Sequence, residues 1–238
     1  MTLSGSDLRL DLHNHTHFSA DGLMTPEVLL ETAKAKGIGC IAVTDHNTVQ
    51  GALEALALSR ADSTLPRVIP GVELRTQAGE IIGLYVNEEI PRGLPLGEAA
   101  RRIREQGGLV YLPHPFDVFR RGAITRAERD DAAVLADLVE VVNGRSLSGR
   151  STRKARDLAV RSGKPGGAGS DAHRKSEVGR ARVVVSDHPT RDTLVALVAA
   201  GTVSHDLGRR QYTFNWARQA MAPVTRLYRR ATGSLVGR

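Results

Sequence analysis

The chain has 238 residues, of which 41% are apolar and 25% charged, and a formal net charge of +7. That length buries one large core, no apolar run is long enough to span a bilayer, and the N-terminus MTLSGSDLRL lacks the basic-then-apolar pattern of a secretory signal. One α/β domain in the cytoplasm is therefore expected. The single cysteine, Cys40, excludes internal disulfides and thiolate metal sites, and within GIGCIAV it reads as a buried thiol. The charge is unevenly spread: residues 209–238 hold seven arginines and no acid, whereas residues 1–208 hold 26 residues of each sign. We divide the chain accordingly into a main domain, 1–208, and a basic amphipathic tail, 209–238.

Strand-like and helical runs alternate from the start. LRLDLH reads as a strand and TPEVLLETAKAKG as a helix, with Thr25 as its cap, Pro26 in its first turn and Gly37 at its end. GCIAVTDH then precedes the helical TVQGALEALALSRA, and RVIPGVE leads into GEIIGLYV. The helix PLGEAARRIREQGG comes before LVYLPHP, LVEVVN before STRKARDLAVRSGK, and GGAGSDAH before ARVVVS and the helical PTRDTLVALVAAG. Repetition of strand, helix, strand indicates a parallel sheet. No internal repeat or low-complexity segment interrupts it.

Ligand-type side chains follow the strands. His13, His15 and His17 alternate along the first motif and would share one face of an extended segment. Asp45 and His46 end the second strand, Glu73 the third, His114 the LVYLPHP run, Asn143 the LVEVVN run, and Asp171 and His173 the GGAGSDAH run. In parallel α/β folds the loops at the carboxyl ends of strands converge on one mouth. Gathering that many imidazoles and carboxylates is costly unless something offsets it. A divalent cation does so, and nitrogen and oxygen donors without thiolate suit zinc, iron or manganese. The donors outnumber one tetrahedral site, so two or three ions are expected.

The motifs DLHNHT with SADG, AVTDHNT, PGVE, LPHPFD and GSDAH resemble, in order, those of the PHP (polymerase and histidinol phosphatase) superfamily of metal-dependent phosphoesterases, over roughly residues 8 to 205. The resemblance implies a distorted (β/α)7 barrel with a trinuclear metal site at the strand carboxyl ends. It carries the ligand role onto His13, His15, Asp21, His46, Glu73, His114, Asp171 and His173. Two positions depart from the family pattern. SADG replaces the common SDG, which moves the aspartate to Asp21. EIIG stands where many members have HxLG, which places Glu80 at the histidine position; a carboxylate can replace imidazole, so Glu80 is counted as a ninth ligand.

The chemistry implied is phosphoester hydrolysis, with a metal-bound hydroxide as nucleophile, Glu73 or Asp171 bridging metals, and Arg145 in VVNGRS as a candidate contact for substrate phosphate. The expected substrate is a phosphorylated metabolite, a nucleotide or an oligonucleotide end. Histidinol-phosphate phosphatase activity is the alternative within hydrolases, and a nucleic-acid-binding scaffold with a vestigial metal site is the alternative outside them. His17 reads as lying behind the ligands or at the surface, His188 and His205 as structural, and Asp45 as orienting ligands rather than binding metal. In the tail, Phe214, Ala217, Met221, Val224 and Leu227 would form an apolar helical stripe. The favoured reading packs this stripe on the barrel; the other makes the arginines a patch for RNA or another polyanion.

Overall fold

A computed structural model describes residues 7–117, 122–146, 149–207 and 210–215. In chain order the elements are β1 (Leu8–Asp11), α1 (Pro26–Ala35), β2 (Cys40–Val43), α2 (Gln50–Ala61), β3 (Arg67–Arg75), β4 (Glu80–Leu84), α3 (Leu96–Glu105) and β5 (Leu109–Leu112). They continue with α4 (Arg129–Leu135), β6 (Leu138–Asn143), α5 (Gly149–Arg161), β7 (Gly166–Gly169), β8 (Ala181–Val185), α6 (Leu194–Ala200), β9 (Thr202–Leu207) and β10 (Arg210–Asn215). Helix α1 starts as its sequence dictates. Thr25 accepts the amide of Val28 at 3.2 Å, Pro26 occupies the first turn, and Gly37 just beyond the end takes φ of +69°.

The sheet order is β10-β9-β8-β1-β2-β3-β4-β5-β6-β7. The segment after β1 meets β7 and the residues that follow it: Leu12 N donates to Ala168 O at 3.1 Å, Asp171 N to His13 O at 2.7 Å, and His15 N to Ala172 O at 2.9 Å. Strands β1 to β7 thus form a nearly closed, distorted barrel, and β8, β9 and β10 extend from β1 as an antiparallel arm. Side-chain alternation sorts the core into two parts. Cys40 and Ala42 of β2 join the large cluster with the other strands, whereas Ile41 and Val43 face α1 and α2 with Leu29, Leu30, Ala33, Ala52 and Ala55.

Two expectations are corrected. The sheet is not wholly parallel, because β4 runs antiparallel to both β3 and β5. Only residues 76–79 connect β3 to β4, far fewer than a parallel crossover requires. Gly79, at φ of +131°, completes that turn, and a Cβ there would lie 2.4 Å from Ile124 Cα. The tail, expected to be helical from residue 209, begins as strand β10, in register with β9 from Arg210↔Leu207 to Asn215↔Thr202. The rest of its apolar stripe lies outside the described residues.

Candidate metal centre

The antiparallel course of β4 has a direct consequence for the site. Glu80 is the first residue of β4, and because β4 is reversed, its start lies at the same rim as the carboxyl ends of the parallel strands. That rim carries a cavity of about 270 Å³ lined by Asp21, His46, Glu73, Arg75, Glu80, His114, Gly122, Arg145, Asp171 and His173.

At its floor the Glu73 carboxylate is surrounded by imidazoles. Oε2 lies 3.3 Å from Nε2 of His13, 3.3 Å from Nε2 of His15 and 3.1 Å from Nδ1 of His46, while Oε1 accepts from Nε2 of His114 at 3.0 Å. His13 and His15 approach Nε2 to Nε2 at 3.0 Å, and Asp171 Oδ1 sits 3.4 Å from His15 and 3.5 Å from Nδ1 of His173. Three groups have donor atoms within 4.8 Å of one another: His15, His46 and His173; His13, Glu73 and His114; and His13, His15 and Asp171. Asp21, more than half exposed, flanks the first group, 3.1 Å from Nε2 of His173 and 3.7 Å from Nε2 of His46. Glu80 stands at the cavity edge with Arg75, whose Nη1 is 3.4 Å from Oε1. Arg145 extends Nη1 to 2.9 Å from Nδ1 of His173 and 3.8 Å from Oδ1 of Asp171.

Crowding so many titratable groups sets neighbours against one another. Burial disfavours a charged imidazole at His13, but Glu73 and Glu140 outweigh it and push the pKa up to about 10. His15, equally buried, is held well below the ordinary value by burial, and the charges of His46, His13 and His173 add to it. Burial would raise the pKa of Glu73, yet His13, His114 and His46 hold it well below the usual carboxylate range. Glu80 is raised by burial and by the nearby Glu73. His173 is brought down to about 4 by burial and by Arg145. His114 and Asp171 take φ of +25° and +52°, conformations unusual for such residues and concentrated at functional sites.

All nine expected ligands and Arg145 therefore stand at one rim, seven of them inside the three tight groups, with Asp21 and Glu80 beside them. His17 is exposed and stacks on Phe18. Asp45 faces away from the cavity: its carboxylate accepts from Thr16 N at 2.7 Å, Thr16 Oγ1 at 2.6 Å and Ser19 Oγ at 2.7 Å, and Ser19 in turn contacts Nδ1 of His15 at 3.0 Å. Sequence reasoning overlooked Glu140, which sits 3.2 Å from Nδ1 of His13. The signal was present: one acid in the otherwise apolar LVEVV, in a strand whose six residues are all buried.

Comparison with known proteins finds likenesses in sequence and in fold. A family model described as PHP-associated matches residues 149–203. An uncharacterised protein of Methanocaldococcus jannaschii is 38% identical over 183 residues, covering 76% of this chain and 71% of that protein. The 5'-3' exoribonuclease Rnm of Salmonella typhimurium is 31% identical over 163 residues, covering 58% of this chain, which spans 55% of that enzyme's length. A two-domain protein from Bacteroides vulgatus containing a region described as a PHP-like metal-dependent phosphoesterase superposes with a TM-score of 0.67 at 18% identity, over 90% of this chain and 69% of that one.

Proposed function

The chain belongs to the PHP superfamily, and from that premise we propose that it is a hydrolase using two or three divalent metal ions, Mn, Zn or Fe, to cleave phosphoesters at the end of a nucleotide or oligonucleotide. The observation that carries the reading is the buried Glu73 carboxylate with imidazole nitrogens of His13, His15, His46 and His114 at 3.3, 3.3, 3.1 and 3.0 Å from its oxygens. The donor set fits such ions: it is wholly imidazole and carboxylate, and the buried Nδ1 of His114 has no hydrogen-bond partner among the described residues. His13, His15, His46, Glu73, His114, Asp171 and His173 would hold the ions, with Asp21 and Glu80 completing the set. When bound, clustered divalent ions lower the pKa of water and neutralise charge on a phosphoryl group.

The protein's own residues supply the rest. The described lining of the cavity contains no serine, threonine or cysteine, and this reading commits its carboxylates and imidazoles to the metals, which leaves water as the nucleophile it requires. Arg145, one-third exposed at the mouth, places a permanent cation where a substrate phosphate would enter. The name of the Salmonella relative favours a nucleic-acid end over a small metabolite. The test is hydrolysis of nitrophenyl phosphomonoester and diester and of 5′-phosphorylated oligonucleotides by protein prepared with manganese. Activity should be abolished by EDTA, restored by metal, and lost in His13→Ala and Asp171→Ala with the fold kept, since strand-end residues of such barrels serve function more than stability. Full turnover by metal-free protein sinks the proposal. Metal binding without any turnover leaves the vestigial scaffold as the better account.

A further inference from the structure

Glu140 belongs to none of the three donor groups and does not line the 270 Å³ cavity, yet it is fully buried beside them. A buried carboxylate is costly unless every oxygen is satisfied. Here the partners all come from the site. Oε1 accepts from Nδ1 of His13 at 3.2 Å. Oε2 accepts from the backbone N of His114 at 2.7 Å and from Nδ2 of Asn143 at 2.9 Å, and the same Asn143 amide donates to Oδ2 of Asp171 at 3.1 Å. One side chain thus ties together the segments following β1, β5 and β7. Two of the residues it holds, His114 directly and Asp171 through Asn143, are those with positive φ in the site, which persist only where the surroundings fix them. The approach is close: a Cβ on Gly169 would lie 2.2 Å from Cβ of His13 and 2.7 Å from Oε1 of Glu140.

We propose that Glu140 is a positioning residue for the metal centre: by accepting the Nδ1 proton of His13 it fixes that ring with Nε2 presented to the metal, and through His114 and Asn143 it sets two further ligand-bearing segments. The inference rests on the metal-dependent reading above. A ligating imidazole whose other nitrogen donates to a carboxylate is held in one tautomer and made a better ligand. Glutamine at 140 cannot do the same, because its amide nitrogen would face either the His13 donor or the His114 and Asn143 donors.

Two measurements test it. Manganese affinity of Glu140→Gln, measured by calorimetry, should fall roughly 10- to 100-fold with circular dichroism unchanged. Nitrogen-15 spectra of zinc-loaded wild-type protein should show the His13 proton on Nδ1. Wild-type affinity in the variant, or a His13 proton on Nε2, overturns the inference. If Glu140→Gln does not fold, the wild-type spectrum decides. A wild-type protein that binds neither manganese nor zinc overturns the metal-dependent reading itself, and this inference with it, before any variant is made.

Discussion

His13 and His15 are two residues apart, both fully buried, and driven in opposite directions: His13 keeps its proton to about pH 10, while His15 is held neutral. The difference is one of partners: Glu73 and Glu140 together outweigh burial at His13, whereas at His15 burial and the charges of His46, His13 and His173 outweigh Glu73. A folded-state pKa of about 10 against 6.5 unfolded means that the His13 proton stabilises the metal-free fold fully below 6.5 and loses that contribution as pH rises toward 10. A metal must displace the same proton. Manganese affinity should therefore increase with pH across that window, with proton release detectable as a buffer-dependent enthalpy in titration calorimetry. Affinity that is flat from 6.5 to 10 would mean that His13 is already neutral without metal.

At the scale of elements, the β3–β4 hairpin is the departure from a regular βα barrel, and it is what delivers Glu80 to the rim of the candidate centre. Its turn depends on Gly79, where φ of +131° is open to glycine almost alone and a side chain would run into the Ile124 backbone at 2.4 Å. Gly79→Ala should destabilise the protein by more than about 1 kcal/mol and reduce the metal bound at the Glu80 side. Thermal denaturation and metal analysis of the purified variant measure both. An unchanged melting temperature would show that the turn relaxes without cost. Most elements were legible because their signals are local: the Thr25 cap, Pro26, the Gly37 stop and the apolar runs of β2, β5 and β6 need no partner to be read. Helix α4 was not read at all, since Arg129–Leu135 is a single short apolar patch behind two acids. Strand β10 was mistaken for part of a helix because its pairing with β9, not its own pattern, determines it.

For the whole molecule, the candidate centre draws on the segments after β1, β2, β5 and β7 and on β3 itself, so bound metal would link strands all round the barrel. Anything that binds the folded state alone stabilises it by mass action. At metal concentrations a hundred times Kd the gain is about 2.7 kcal/mol, which for a domain of this size corresponds to a melting temperature higher by roughly 5 to 10 °C. Differential scanning calorimetry of chelated and reloaded protein measures it. A melting temperature indifferent to manganese, zinc and iron would mean that the cluster holds none of them tightly.

The sequence by itself determined which chemistry was available. Histidines and acids recurring just after successive strands announce one shared rim, because strand ends in an α/β barrel converge whatever the details of the loops. It could not determine how those groups are arranged around one another, since hydrogen-bonding partners such as Glu140 and His13 stand 127 positions apart and meet only when β6 packs beside the closing seam of β7 and β1. Nor could it reveal that β4 is reversed, which decides whether Glu80 points to the ligand rim or to the opposite end of the barrel. Residue type is local information, whereas distance, strand direction and the balance of burial against neighbouring charge belong to the folded chain.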